Sequence, residues 1–118
     1  MRNRRQTGTV YEEKAAAFLE EKGFHIVERN FRCRQGEIDL IARDGRYLVF
    51  VEVKYRSGQK AGHPAESVHF KKQQRIIQTA RYYCYQHHIP EIQPCRFDVV
   101  TILGEQTEHI EHAFEMQA

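Results

Sequence analysis

The sequence lacks any apolar run near the ~20 residues that a membrane-spanning helix requires. Its basic start, "MRNRRQTGTV", is followed by no apolar segment of the kind that a secretory signal contains. It also lacks internal repeats, low-complexity runs and linkers rich in proline and glycine. Since its 118 residues are 41% hydrophobic, we expect one folded domain that does not associate with membranes.

Cysteine is scarce, and its pattern excludes two kinds of small protein. The three cysteines, Cys33, Cys84 and Cys95, are an odd number, and no two are spaced as Cys-x-x-Cys. A disulfide framework and a zinc knuckle are therefore not expected. Reduced thiols predict a cytoplasmic protein.

Basic residues are absent from the end of the chain. Residues 97–118 contain five acids and no Lys or Arg, a charge of −5, whereas residues 1–96 contain all 18 Lys and Arg and 11 acids, a charge of +7. This asymmetry indicates a basic working surface, for which a polyanion is the obvious partner. Ordinary solvated charge explains the distribution equally well, so charge alone does not decide.

The order of predicted elements is α-β-β-β-α-β-β. A helix is predicted from about Val10 to Lys22, with a capping box at Thr9-x-x-Glu12 and Gly23 at its end. Such an order predicts an α/β fold with a central mixed β-sheet flanked by helices. The other predictions are strands at Phe24–Phe31, Glu37–Ala42, Tyr47–Tyr55, Cys95–Leu103 and His109–Phe114, a loop at Arg56–Ser67 and a helix from about Val68 to Gln86.

The segment "GEIDLIARDGRYLVFVEVKYR" places charges inside two strand patterns. Because side chains alternate along a strand, Glu52 and Lys54 point to the same face. Asp44-Gly45 is a strong hairpin signal, and a two-residue loop there pairs Arg43 with Arg46.

In that register the charges gather on one face. Asp39 lies opposite Phe50 and Glu37 opposite Glu52, so Lys54 joins three carboxylates on the same side of the sheet. Asp39 and Glu52 are then diagonal neighbours, ~7–8 Å apart. A loop of odd length would divide the set between the two faces.

Three clustered carboxylates beside a core repel one another and lose hydration. Protonation, pairing with Arg or Lys, or a bound cation would relieve this, and Lys54 alone cannot neutralise all three. Mg²⁺ suits such oxygen ligands, and Ca²⁺ and Mn²⁺ are compatible with them. The alternative is that Glu52 and Lys54 form a sheet-edge ion pair and that Asp39 is solvated.

An Asp followed by Glu-x-Lys on the next strand, after a helix that carries a Glu, resembles the PD-(D/E)xK nuclease superfamily. More closely, residues 8–114 resemble the YraN-type family of small bacterial predicted endonucleases, which is distantly similar to archaeal Holliday junction resolvases. The resemblance rests on Glu12 with Ala15, Lys71 on the second helix, "RNFRCRQGEIDLIARD", "VFVEVKYR" and "RFDVV".

The resemblance implies a restriction-endonuclease-like fold with a metal-dependent phosphodiesterase site. It implies that Asp39 and Glu52 bind the metal, that Glu12 is the helix acid beside it, and that Lys54 is the catalytic lysine. Mg²⁺ is the expected cofactor, with Mn²⁺ as a substitute. Residues 1–8 are then a basic N-terminal tail, and residues 9–118 a single nuclease-like domain.

The role of Glu12 has two open alternatives. As the third residue of a capping box its side chain would bind the Thr9 amide and be structural. The family has a glycine where this chain has Tyr11, so Glu13 is a second candidate for the helix acid.

The expected function is that of an endonuclease, a hydrolase that cuts phosphodiester bonds, with branched or recombining DNA as one candidate substrate. DNA is favoured over RNA, and analogy with junction resolvases suggests a homodimer. The alternative is a nucleic-acid-binding module that retains the nuclease fold without turnover.

Seven basic residues are predicted to bind the nucleic acid. Lys72 is instead expected on the solvated face of its helix, and Arg96 and Asp98 are expected to form a structural pair near the site. The predicted contacts are Arg29, Arg32, Arg34, Arg56, Lys60, Lys71 and Arg75.

Overall fold

A computed structural model describes residues 4–56 and 69–116, with side chains from residue 10 to 55 and from 69 to 116. Two helices and five strands occur in the predicted order, α-β-β-β-α-β-β. The elements are α1 Arg4–Glu21, β1 His25–Cys33, β2 Gly36–Asp44, β3 Tyr47–Arg56, α2 Phe70–Gln86, β4 Cys95–Leu103 and β5 Gln106–Phe114. Neither of these two helices is long and apolar enough to cross a membrane.

The strands form one mixed sheet in the order β1-β2-β3-β4-β5. Strands β1, β2 and β3 are antiparallel neighbours, β3 and β4 are parallel, and β5 returns antiparallel to β4. A parallel pair requires a crossover connection, and α2 lies in the one between β3 and β4.

Each face of the sheet carries its own apolar core. One cluster joins Ala15, Ala16 and Leu19 of α1 to the sheet, and the other joins Ile76, Ile77 and Ala80 of α2 to it. The central strands are therefore covered on both sides, which explains why β4 is buried at every position from Arg96 to Ile102.

Helix α1 differs from its prediction at the start and agrees at the end. It begins at Arg4 rather than near Val10, so the predicted capping box is wrong, because Thr9 lies inside the helix. Gly23 follows the helix with a φ of +98°, and its N–H donates to the Glu20 carbonyl over 3.0 Å. The helix includes residues 4–8; the division into a tail, 1–8, and one domain, 9–118, stays a prediction.

The other elements begin and end within three residues of their predicted limits, and β4 agrees at both ends. Of the predicted loop Arg56–Ser67, residues 57–67 lie outside the described residues.

The hairpin between β2 and β3 forms as predicted, but its register is wrong by two residues. Asp44 pairs with Tyr47, so the loop consists of Gly45 and Arg46. Gly45 has a φ of +58° at the first loop position, where a type II′ turn requires glycine. Because the error is an even number of residues, the strand faces are preserved. Continued by one residue, the observed register places Asp39 beside Glu52 rather than diagonal to it.

Candidate active site

The alternation of β1 and β2 reverses at one row of the sheet. Leu40 packs in the α1-side core, whereas Ile38, two residues away, packs in the α2-side core. On β1, Arg29 contacts α1 through Glu13, whereas Phe31 packs on the α2 side. The reversal occurs at Asp39 on β2 and at Asn30 on β1. These two residues face each other if the register of β1 with β2 is continued.

Asn30 supplies the backbone conformation that this reversal needs. Its φ is +53° inside a strand, a left-handed conformation that Asn adopts more readily than most residues. Its side chain hydrogen-bonds Glu12 of α1. The irregular backbone at Asn30 thus connects β1 to Glu12 of α1.

Asp39 lies at the centre of this row. Its Oδ2 accepts a hydrogen bond of 2.8 Å from the Val53 N–H on β3. Burial and the neighbouring charges of Glu52 and Glu12 raise the pKa of Asp39 to about 8, against the Val53 hydrogen bond, which lowers it. Near neutral pH the protonated carboxyl group can therefore donate a hydrogen bond to Glu52 or to Glu12.

The structure distinguishes Glu12 from Glu13. Burial raises the pKa of Glu12, which hydrogen-bonds Asn30 and Asp39. Glu13 is exposed and forms an ion pair with Arg29. Glu12 therefore lies at the candidate site, and Glu13 lies outside it.

Glu52 is buried and is bracketed by two lysines. The Lys54 Nζ lies 3.6 Å from the Glu52 Oε2, and the Lys72 Nζ lies 2.6 Å from the same oxygen. The expectation that Lys72 is a solvated residue is therefore wrong. Lys72 lies four residues before the buried Ile76, so its side chain points along the inner face of α2.

The pKa values of the two lysines shift in opposite directions. Burial and the nearby charge of Lys72 lower the pKa of Lys54. Burial opposes protonation of Lys72 as well, but the hydrogen bond and the charge of Glu52 raise its pKa. Lys72 is thus the counter-ion of Glu52, and Lys54 is the more easily deprotonated of the two.

Glu37 does not join the site. It is exposed, and its Oε2 lies 3.2 Å from the Arg32 Nε. The pairs Phe31–Ile38 and Arg32–Glu37 are successive rows, and the first points toward α2. The second therefore points toward α1, and the prediction that all four charges share a face is wrong for Glu37.

The predicted nucleic-acid contacts differ in their exposure and in their pairing with acids. Arg34, Lys71 and Arg75 are exposed, whereas Arg29 and Arg32 are exposed but paired with acids. The Arg56 side chain and Lys60 lie outside the described residues. Nucleic-acid binding by these seven residues stays a prediction.

Two site residues, Lys72 and Asn30, were missed from the sequence. Helical periodicity could have found Lys72, because Lys72, Ile76 and Ala80 follow one another at intervals of four residues. Asn30 carries a weaker signal, since an Asn inside a strand pattern is one of the few residues that tolerates a positive φ.

A second polar group lies on β4 and β5, and the Arg96 side chain connects it to Asp44 over 3.0 Å. Among the described residues, the ligand atoms of Asp98, His109 and Glu111 all lie within 4.8 Å of one another. The Arg96 guanidinium already contributes the positive charge there, 2.9 Å from Asp98 and 3.4 Å from Glu111. The predicted Arg96–Asp98 pair is confirmed, and Asp98 lies on β4, two strands away from Asp39 in the sheet.

The carboxylates of the first group suit a hard cation. Glu12, Asp39 and Glu52 offer only oxygen donors, which Mg²⁺ and Mn²⁺ favour. Asp39 interacts with both Glu12 and Glu52. Asp39 therefore lies between Glu12 and Glu52. The ligand atoms of these three acids do not all lie within 4.8 Å of one another, so a cation that replaced the Asp39 proton would have to draw the carboxylates closer together.

Most of the chain matches the profile of one protein family. The profile described as "Uncharacterised protein family UPF0102" matches residues 11–102. The chain belongs to the UPF0102, or YraN-type, family. A UPF0102 protein of Lachnoclostridium phytofermentans is 49% identical over 113 residues, which are 96% of each chain. One of Hahella chejuensis is 54% identical over 93 residues, 79% of this chain and 74% of its own. One of Caldanaerobacter subterraneus is 41% identical over 119 residues, which cover 95% of this chain and 97% of its own.

The UPF0102 match covers the residues of the candidate site. Glu12, Asp39, Glu52, Lys54 and Lys72 all lie within residues 11–102. The family description names no activity, so function has to be sought in the chemistry of these side chains.

Proposed function

We propose that this UPF0102 protein is a metal-dependent nucleic-acid phosphodiesterase, an endonuclease with a restriction-endonuclease-like fold. The proposal is carried by one observation: the partly buried carboxyl group of Asp39 contacts two further carboxyl groups, and two lysines flank Glu52. The mixed sheet between two helices is compatible with such a fold.

Glu12, Asp39 and Glu52 would hold the metal ion, Mg²⁺ or Mn²⁺. A protein that only needed stability would not bury an acid whose pKa rises to about 8, because each ionised carboxylate in this row destabilises the others. Acids arranged at such a cost are typical of functional sites. When bound, the ion would supply positive charge at a phosphate oxygen and lower the pKa of a coordinated water.

Lys54 and Lys72 would share the work on the phosphate. Lys54, whose pKa burial and Lys72 lower, would orient the attacking water or accept its proton. Lys72, which stays protonated beside Glu52, would stabilise the negative charge that develops on the phosphoryl oxygens.

The substrate class follows from charge. Arg34, Lys71 and Arg75 are exposed, and exposed positive charge attracts the phosphate backbone and makes binding weaken with salt. DNA in preference to RNA, branched or recombining DNA as the target, and action as a homodimer belong to this proposal.

Cleavage of labelled single-stranded, duplex and branched DNA, and of matched RNA, tests the proposal. We expect cleavage with Mg²⁺ or Mn²⁺ and none with EDTA. Asp39→Asn and Lys54→Met should abolish cleavage and leave binding largely intact. Cleavage that is equal in the wild type and both variants would reveal a contaminant. Binding with no cleavage under any condition would favour the alternative, a non-catalytic nucleic-acid-binding module with a nuclease fold.

A further inference from the structure

An aromatic pair borders the candidate site on the α1 side of the sheet. The rings of Tyr11 and Tyr55 stack with centroids 3.9 Å apart and planes inclined by 12°. Tyr11 precedes Glu12 in α1, and Tyr55 follows Lys54 in β3. Because side chains alternate along β3, Tyr55 points toward α1, on the side of Glu12, whereas Glu52 and Lys54 point toward α2.

The two rings have different surroundings. Tyr11 is half-buried and packs against the α1-side core, and the Lys14 Nζ lies 5.4 Å from its centroid. Tyr55 keeps 37% of its surface exposed. The stack therefore holds the Tyr55 ring against Tyr11 while the residue stays partly accessible to solvent.

We propose that Tyr55, held by Tyr11, is a stacking platform for an unpaired nucleobase on the α1 side of the candidate site, the side on which Glu12 lies. Because Tyr55 is already held by Tyr11, little side-chain freedom is lost when a base stacks on it. Lys14 adds a positive charge on the same side, where the backbone of the extruded nucleotide would pass.

This platform would favour substrates in which at least one base is not stacked between its neighbours in a duplex. Inside a regular duplex both faces of each base are covered by their neighbours, so a protein aromatic ring can stack only on a base that leaves the helix. Single strands, flaps, bulges and branch points offer such bases. The inference deepens the proposed function, on which it rests, by naming an unpaired nucleotide as the element recognised at the site.

Binding measured without turnover tests the platform separately from catalysis. In an Asp39→Asn background, the fluorescence of 2-aminopurine reports stacking on a single strand, on a duplex with a one-nucleotide bulge, and on a blunt duplex of the same sequence. We expect Tyr55→Ala to raise the Kd for the first two about tenfold, a loss of about 1.4 kcal/mol. The Kd for the blunt duplex should not change.

Matched variants separate stacking from folding. Tyr55→Phe retains the ring and should bind as the parent does, whereas Tyr55→Leu retains apolar contact with Tyr11 and should lose affinity as Tyr55→Ala does. Tyr85 is 79% exposed and lies at the far end of α2, so Tyr85→Ala should have no effect. Equal losses for all three substrates, or full affinity in Tyr55→Leu, would overturn the platform and leave the proposed nuclease intact. If the parent protein binds none of the substrates, both the platform and the proposed function fail.

Discussion

The Asp39 carboxylate on β2 accepts a hydrogen bond of 2.8 Å from the Val53 N–H on β3. The paired ladder between these strands extends from Asp44–Tyr47 to Leu40–Val51, and this side-chain contact lies just beyond its end. A side chain therefore binds a backbone donor where the regular pairing stops. The Asp39 side chain thus takes the place of a backbone acceptor between the two strands. This contact orients its carboxyl group toward Glu12 and Glu52.

The metal-free protein should lose stability as the pH rises. The pKa of Asp39 is about 8 in the folded protein and ~3.9 in an unfolded chain. Between these values the folded state retains a proton that the unfolded state has lost, so the free energy of unfolding falls with rising pH. We expect Asp39 to contribute a loss on the order of 1–3 kcal/mol between about pH 5 and about pH 9.

Urea unfolding in EDTA across this pH range measures the loss. Asp39→Asn is the control, because its amide cannot ionise, and its stability should decline less steeply. Saturating Mg²⁺ should also flatten the wild-type curve, since a bound cation favours the ionised carboxylate. Parallel curves for the wild type and Asp39→Asn would contradict the assigned pKa of Asp39.

Lys72 and Lys71 are adjacent in α2 and should behave differently. Lys72 lies 2.6 Å from the buried Glu52, so Lys72→Met should cost about 1 kcal/mol, a figure limited by the 42% exposure of the Lys72 side chain. Cleavage should fall at least tenfold if Lys72 stabilises developing charge on the phosphate. Lys71→Met should change stability by less than ~0.5 kcal/mol. Thermal unfolding and single-turnover cleavage measure the two effects, and equal results for both variants would exclude Lys72 from the site.

The fold follows from local patterns that could be recognised in the sequence. The strand β4 was predicted at both ends because Cys95–Leu103 is rich in the branched and aromatic residues that favour strands. Gly23 ends α1 because a left-handed residue is needed there. The start of α1 was misplaced because Thr9 and Glu12 have capping-box spacing without acting as one.

The details of the site depend on tertiary contacts that local patterns do not contain. Asp44-Gly45 and Gly45-Arg46 are both acceptable two-residue turns, and the second is the one observed. In that turn Asp44 remains in the strand, 3.0 Å from the Arg96 Nη2 on β4. The reversal at Asn30 and Asp39 involves two strands at once, so a strict alternation applied to β2 alone misplaced Glu37.

Glu12 should matter to metal binding, and Glu13 should not. Glu12 contacts Asp39, so Glu12→Gln should weaken the binding of Mn²⁺ about tenfold and slow cleavage in proportion. Glu13 pairs with Arg29 on the exposed surface, and Glu13→Gln should leave both unchanged within about twofold, because surface pairs contribute little. Isothermal titration with Mn²⁺ measures the affinities. A loss in Glu13→Gln alone would transfer the role of the helix acid to Glu13.

Asp98 should contribute stability rather than activity. It is buried, receives two hydrogen bonds of 2.9 Å from Arg96, and contacts His109 over 2.7 Å. Burial opposes ionisation, but these partners and the His112 N–H hold the pKa of Asp98 below its ordinary value. Its contribution to stability is therefore complete above ~pH 4 and is lost as the pH falls through the lower, folded-state pKa.

Asp98→Asn should cost roughly 3 kcal/mol at neutral pH, because it leaves Arg96 without its main partner. Glu111, which is 54% exposed, is the control, and Glu111→Gln should cost less than ~0.5 kcal/mol. Urea unfolding at neutral pH measures both, and equal costs would contradict a structural role for Asp98.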